Sequence, residues 1–223
     1  MASAARWDYG GAIERVDVRG EIALPNDSRV QVCDWTKEEL PAFMKQADTL
    51  FVDPPWNQGN RNAFQTKADL PPASEDWASF VGILFGRIMQ IKPKYLFLEV
   101  GKEHLPCFWM MAEKQFRYVT FYNSIYYKKQ ANKCYVIHAT DDAKRRRYKE
   151  LEDMPQSLIV RWLCEHHEFQ CIGDLCMGRG LVGREAYRVN KRFVGTELNP
   201  KRLAVLVEWI QKQEEKRNAT QEN

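Results

Sequence analysis

Asp53-Pro54-Pro55-Trp56 closes a short apolar run, residues 49–52, and it carries the chain's most specific chemistry. The nitrogen of an exocyclic amine on a heteroaromatic base is a weak nucleophile, because its lone pair is delocalised into the ring. A catalyst must therefore draw that nitrogen toward tetrahedral geometry rather than simply remove a proton. Two oriented acceptors do this: the Asp53 carboxylate and the Pro54 carbonyl can each take one amine hydrogen and aim the lone pair at an electrophile. Proline fixes its own φ, and Pro55 also restricts Pro54 to extended backbone, so the carbonyl direction is set in advance. Trp56 offers a flat face for stacking a base. The competing reading is an ordinary turn leaving a strand, with the tryptophan covering an apolar edge.

A second motif lies far along the chain. Cys171 and Ile172 lead through Gly173 into Asp174-Leu175-Cys176-Met177-Gly178-Arg179-Gly180, and Leu181, Val182, Ala186 and Val189 follow at helical spacing. This predicts strand, glycine turn and helix, with Gly178 and Gly180 permitting a tight turn close to a ligand. Little more than twenty residues after Asp174, the run from Arg192 reaches Glu197. An acid so placed at the end of a second strand is suited to accept hydrogen bonds from ribose hydroxyls.

On these two motifs the chain resembles the permuted S-adenosylmethionine-dependent amino methyltransferases, in which the Asp-Pro-Pro-aromatic motif precedes the glycine motif. The resemblance covers roughly residues 30–213. It implies an α/β fold: a doubly wound, mostly parallel, seven-stranded Rossmann-like sheet with a terminal antiparallel hairpin. It further implies S-adenosylmethionine as cofactor, with Pro155, Gln156 and Ser157 near its methionine end. Asp174, Gly178 and Gly180 would hold the amino-acid part, Glu197 would stand at the ribose and Asp34 at the adenine, with Cys176 and Asn199 as further cofactor contacts. Where the family usually carries an aromatic residue in the glycine motif, this chain has Leu175-Cys176.

An acid at position 53, where serine marks many cytosine-N4 enzymes, resembles the adenine-modifying members. The expected activity is direct, metal-free methyl transfer to the N6 amine of adenine in DNA, on a flipped or unpaired base. RNA adenosine, methylated together with a partner subunit, is a second reading, since the same tetrapeptide occurs in eukaryotic mRNA adenosine methyltransferases. A non-catalytic subunit that keeps the fold is a third. DNA is favoured because Thr196 to Pro200 looks bacterial or phage-like in style.

The 223 residues, 44% of them apolar, suffice for one α/β domain with a substantial core. The expected division is an arm or β-ribbon over 1–29 and one domain over 30–217, with a frayed tail over 218–223. Within the domain, 30–140 forms the catalytic half, 141–154 a short basic linker and 155–217 the donor half. No window approaches a membrane span and the first eleven residues lack a leader's apolar stretch, so a cytoplasmic location, or a nuclear one in a eukaryote, is expected. Six cysteines without close pairing predict reduced, mostly buried thiols and no metal site.

Net charge is +3 with pI near 8.5, compatible with nucleic acid without requiring it. Arg145, Arg146 and Arg147, and Lys128 and Lys129 at a predicted hairpin tip, are candidate phosphate contacts; a solvated basic loop is the equal alternative. Residues 57–73 read as a long polar loop beside the catalytic strand, with Asn57 and Lys67 as candidate substrate contacts. Helices are predicted over 37–45, from Trp77 to Ile91, from Leu105 to Ala112, from Leu158 to Leu163 and over Leu203 to Ile210. Strands are predicted over 30–33, 49–52, 94–100, 118–127 and 134–139. Between the two halves only residues 140–154 are available, too few to read several base pairs directly, so specificity would come from the loop, the arm, a homo- or hetero-dimer partner, or substrate structure.

Overall fold

A computed structural model describes residues 9–125 and 133–221. Strands β1 (Glu21–Leu24), β2 (Ser28–Val32), β3 (Thr49–Val52), β4 (Tyr95–Gly101), β5 (Tyr118–Ile125), β6 (Lys133–Thr140), β7 (Met154–Pro155), β8 (Cys171–Asp174) and β9 (Arg192–Glu197) form one sheet in the order β1-β2-β9-β8-β3-β4-β6-β5-β7. The five strands from β2 to β4 pair in parallel, and β4-β6-β5 pair antiparallel. Among the described residues the sheet has nine strands rather than the seven expected, the short edge strands β1 and β7 being the addition. β1 and β2 form a β-ribbon whose second strand belongs to the main sheet.

Strand alternation sorts the core onto two faces. Leu50 and Val52 of β3 and Leu96 and Leu98 of β4 pack with Leu84, Phe85 and Ile88 of α2 (Trp77–Ile91) and Phe108 of α3 (Leu105–Glu113). Phe51 and Phe97, one residue out of phase, pack on the other face with Ile159 and Leu163 of α4 (Gln156–His166), Val182 and Ala186 of α5 (Leu181–Arg188), and Leu203 and Val207 of α6 (Pro200–Gln221). Side chains one residue apart in a strand point to opposite faces, and helices cover both, which makes the sheet doubly wound. From β8 the chain winds through α5 to β9, whereas from β3 it winds through α2 to β4. The β3/β8 boundary is therefore the topological switch point, and the crevice beyond the carboxyl ends of these strands is where such sheets bind ligands.

Three local expectations differ. Residues 37–45 do not form an α-helix; Asp34 accepts the backbone N–H groups of a turn, and a 3₁₀ segment, Ala42–Gln46, follows Pro41. The polar stretch after Trp56 is not a loop but α1 (Gln58–Lys67), with the Asn57 side chain accepting the Asn60 N–H at 2.8 Å as its N-cap. The last residues continue α6 to Gln221, through most of the tail expected to fray over 218–223. Lys128 and Lys129 lie outside the described residues. Among the described residues no helix is long and apolar enough to cross a membrane.

Candidate active site

Because β2, β3, β8 and β9 are parallel, the residues that follow them emerge at one edge: Asp34 after β2, Asp53 after β3, the glycine turn after β8 and Glu197 at the end of β9. They share a cavity of about 480 Å³, lined among others by Asp34, Asp53, Gln156, Asp174, Gly178 and Glu197. That volume falls within the usual range for small-ligand sites.

Asp53 is half-buried and held from two sides. Its Oδ1 accepts the Trp56 indole N–H at 3.0 Å and its Oδ2 accepts the Gln156 amide N–H at 2.8 Å. Burial raises its pKa to about 6 against the opposing pull of these two bonds and of the Arg202 charge. Each oxygen keeps a lone pair for another donor. Pro54 is buried and Pro55 lines the cavity. Trp56 is turned differently from the expectation of a stacking platform. Its ring lies against the end of β4, where a Cβ on Gly101 would come within 2.7 Å of it, and it is not part of the cavity lining.

The glycine turn is built around Glu197. One carboxylate oxygen accepts the Gly178 N–H at 2.6 Å and the other the Asn199 N–H at 3.0 Å, which ties the turn to the end of β9. Gly178 and Gly180 have φ of +55° and +80°, and a Cβ on Gly180 would lie 2.7 Å from Leu206, so both conformation and packing demand glycine there. Asp174 accepts the Cys176 N–H at 2.9 Å. Burial raises the pKa of Glu197 and takes that of Asp174 well above the usual carboxylate range, Asp53 and Glu197 adding to the latter by repulsion. The inner wall thus concentrates buried acids, and Arg202 opposes this at Asp53 and Glu197. Such a wall favours a ligand that carries positive charge and hydroxyl donors.

Two residues escaped the sequence reading. Glu99 on β4 is fully buried in register beside the β3 end, its Oε2 without a partner among the described residues and its pKa raised well above the ordinary value by burial and then by Asp53. A lone acid inside an apolar strand was the available signal. Arg61 on α1 is 3% exposed, ion-paired with Glu75 and stacked 4.8 Å from the Phe80 ring.

Other expected contacts fall outside the cavity lining. Pro155 caps α4 and Ser157 lies half-buried in its first turn. Asn57 caps α1, and Lys67 at its other end gives its carbonyl to Asn199 Nδ2 at 2.7 Å. Arg145, Arg146 and Arg147 are exposed. Arg145 lies 3.4 Å over Tyr118, the first residue of β5, which is at the amino end of the sheet. Asp53 is level with Glu99, four residues along β4 from Tyr95, which is about 13 Å at the usual rise per residue, and three strands from β5 across the sheet. Arg145 therefore stands apart from the cavity, while Arg147 lies over Tyr122, in the same row as Glu99. Four of the six cysteines are buried and all are free, and among the described residues no group of three metal-ligating side chains occurs.

No family model matches the chain, and no curated protein matches it. Several solved structures share its fold. M1.HpyAVI superposes with a TM-score of 0.54 at 11% identity, over 81% of this chain and 97% of its own. TTHA0409, a putative DNA modification methylase from Thermus thermophilus solved with S-adenosyl-L-methionine, gives 0.58 at 14% identity, over 83% and 93%. The cytosine-N4-specific PvuII DNA methyltransferase gives 0.57 at 9% identity, over 84% and 88%. At these identities the likeness is one of fold: the chain has the mixed α/β, Rossmann-like architecture of these methyltransferases.

Proposed function

We propose that the protein is an S-adenosylmethionine-dependent methyltransferase that acts on the N6 amine of adenine in DNA. The observation that carries this reading is the single cavity walled by Asp53 on one side and by Asp174, Gly178 and Glu197 on the other. Fold neighbours that are DNA methyltransferases, one of them solved with S-adenosyl-L-methionine, support it.

The wall suits this donor: Glu197, with one backbone N–H on each oxygen, retains lone pairs for two ribose hydroxyls. Asp174 faces the cationic part, where a positive ligand restores its ionised form. When bound, the donor supplies an electrophilic methyl group on a sulfonium. Asp53 and the Pro54 carbonyl then accept the two amine hydrogens, orienting the nitrogen lone pair toward that methyl. Trp56 and Gln156 fix the carboxylate in this pose. The nitrogen gains the methyl as the bond from that carbon to sulfur breaks, leaving a neutral thioether, and it loses one proton, which Asp53, with a pKa near 6, is matched to accept.

The choice of adenine rests on the acid at position 53; the cytosine-N4-specific fold neighbour uses the same architecture on another exocyclic amine. RNA adenosine with a partner subunit is the second reading, favoured by the short span between the two halves. Incubation with labelled donor and separate pools of duplex DNA, single-stranded DNA and RNA, followed by mass identification of the modified nucleoside, tests this. N6-methyladenine in DNA is expected; label in RNA alone or in N4-methylcytosine would replace the reading, and no label anywhere would end it.

A further inference from the structure

Helix α1 covers the donor cavity with a polar face. Arg61, Phe64 and Gln65 all line it, at the i, i+3, i+4 spacing that puts side chains on one side of a helix. Arg61 is occupied by Glu75 and Phe80, and the Phe64 ring lies 4.8 Å from the Arg202 guanidinium. Gln65 differs: it is 2% exposed, and among the described residues its Oε1 has no hydrogen-bond partner. An amide oxygen that is buried without a partner, on a side chain that lines the cavity, is costly unless a ligand supplies the donor.

The fastening of α1 identifies which part of the ligand meets Gln65. Two residues beyond Gln65, the Lys67 carbonyl accepts the Asn199 side-chain N–H at 2.7 Å, while the Asn199 backbone N–H binds Glu197. Asp69, just past the helix, is ion-paired with Lys201. The cover is thus tied to the ribose-binding end of β9, so Gln65 belongs with the adenosine part of the donor. Asp34, expected to meet the adenine, has Oδ1 occupied by the Thr36 N–H and hydroxyl, and its Oδ2 is 3.5 Å from Lys37.

We propose that Gln65 Oε1 accepts a hydrogen bond from the exocyclic amine of the donor's adenine, making α1 a base-reading cover for the cofactor. This rests on the methyltransferase reading above. It makes Gln65 a determinant of donor specificity, and it explains why this polar side chain of α1 is buried without a protein partner for its oxygen.

The test is calorimetric and needs no turnover. S-adenosylhomocysteine and its analogue with hydrogen in place of the adenine amine are titrated into wild-type protein, Gln65→Leu and Gln65→Glu. Wild-type protein should prefer the amino compound by about tenfold, as expected for leaving a buried acceptor unpaired. Gln65→Leu should bind the two within about twofold of each other, the preference having gone with the acceptor. Gln65→Glu, which keeps an acceptor, should retain the preference, and it carries the test should the leucine variant fail to fold. An undiminished preference in Gln65→Leu, no preference in the wild type, or loss of preference in Gln65→Glu overturns the inference while leaving donor binding intact. Failure of wild-type protein to bind either compound, in contrast, removes the methyltransferase reading and this inference together.

Discussion

Replacing Gln156 by leucine removes the amide N–H that Asp53 Oδ2 accepts at 2.8 Å and leaves Trp56 on Oδ1 at 3.0 Å. Burial has already lifted the Asp53 carboxyl to about 6, and the Gln156 bond is the largest influence holding it down. A hydrogen bond to an ionised group contributes about 1.5–3 kcal/mol, and one pKa unit corresponds to about 1.4 kcal/mol, so the substitution should raise this carboxyl by about one to two units. Only the ionised form can accept an amine hydrogen and then take the proton, and kcat/KM therefore rises with pH through the free-enzyme pKa and then levels. Moving that limb from about 6 to about 7.5 cuts the ionised fraction at about pH 6.5 from roughly three quarters to roughly one tenth, a loss of about eightfold that fades above about pH 9. Initial methylation rates from about pH 5 to pH 9.5 measure it. A limb that stays in place, or a loss equal at every pH, would refute the claim that Gln156 acts through the charge of Asp53, and the latter would return Gln156 to a donor contact.

Glu197→Ala should weaken S-adenosylhomocysteine binding at least about tenfold in calorimetry, since two hydroxyl donors lose a buried acceptor; unaltered titration curves would remove Glu197 from the ribose. Gly195→Ala places a Cβ 2.1 Å from Met177 Sδ and 3.0 Å from the Asp174 carbonyl oxygen. It should cost about 1–3 kcal/mol of stability in urea unfolding and weaken donor binding with it, and an unchanged midpoint would mean the turn absorbs the atom without strain. His138 is 3% exposed and stacked 4.5 Å from Phe97, and burial lowers its pKa from 6.5 to about 3. The unfolded chain thus binds the proton more readily, so the stability this histidine contributes is complete above pH 6.5 and is lost as pH falls toward 3. Relative to His138→Phe, wild-type protein should lose about 1.4 kcal/mol per pH unit in that window; parallel stability curves would contradict its burial as the neutral form.

The strand that ends at Asp53 and the glycine turn were legible because their signals are local: four buried residues ending in Asp-Pro-Pro-Trp, and glycines that must adopt positive φ. The two windings of the sheet were legible too, since α2 and α4 have apolar faces at helical spacing. Helix α1 was not, because its inward residues are Arg61, Phe64 and Gln65, and a periodicity of apolar residues has nothing to register there; the Asn57 cap was its one local signal. Trp56 and Gln156 were recognised, but not that both would turn onto Asp53, since that contact closes only when residues 103 positions apart meet across the sheet edge. The place of the basic segment was not legible, because charge alone does not say at which end of a strand a segment lies; Tyr148, hydrogen-bonded to His167 at 2.9 Å, fastens it against the face that α4, α5 and α6 cover.

The central claim is that Asp53 acts on the amine and not on the donor. Asp53→Ala, examined for S-adenosylhomocysteine affinity and for single-turnover methyl transfer in the same preparation, tests it most directly. Affinity should stay within about threefold while transfer falls by at least about a hundredfold, the scale for losing an oriented acceptor at a reacting centre. Transfer that survives, or affinity that falls in step with it, would contradict the claim.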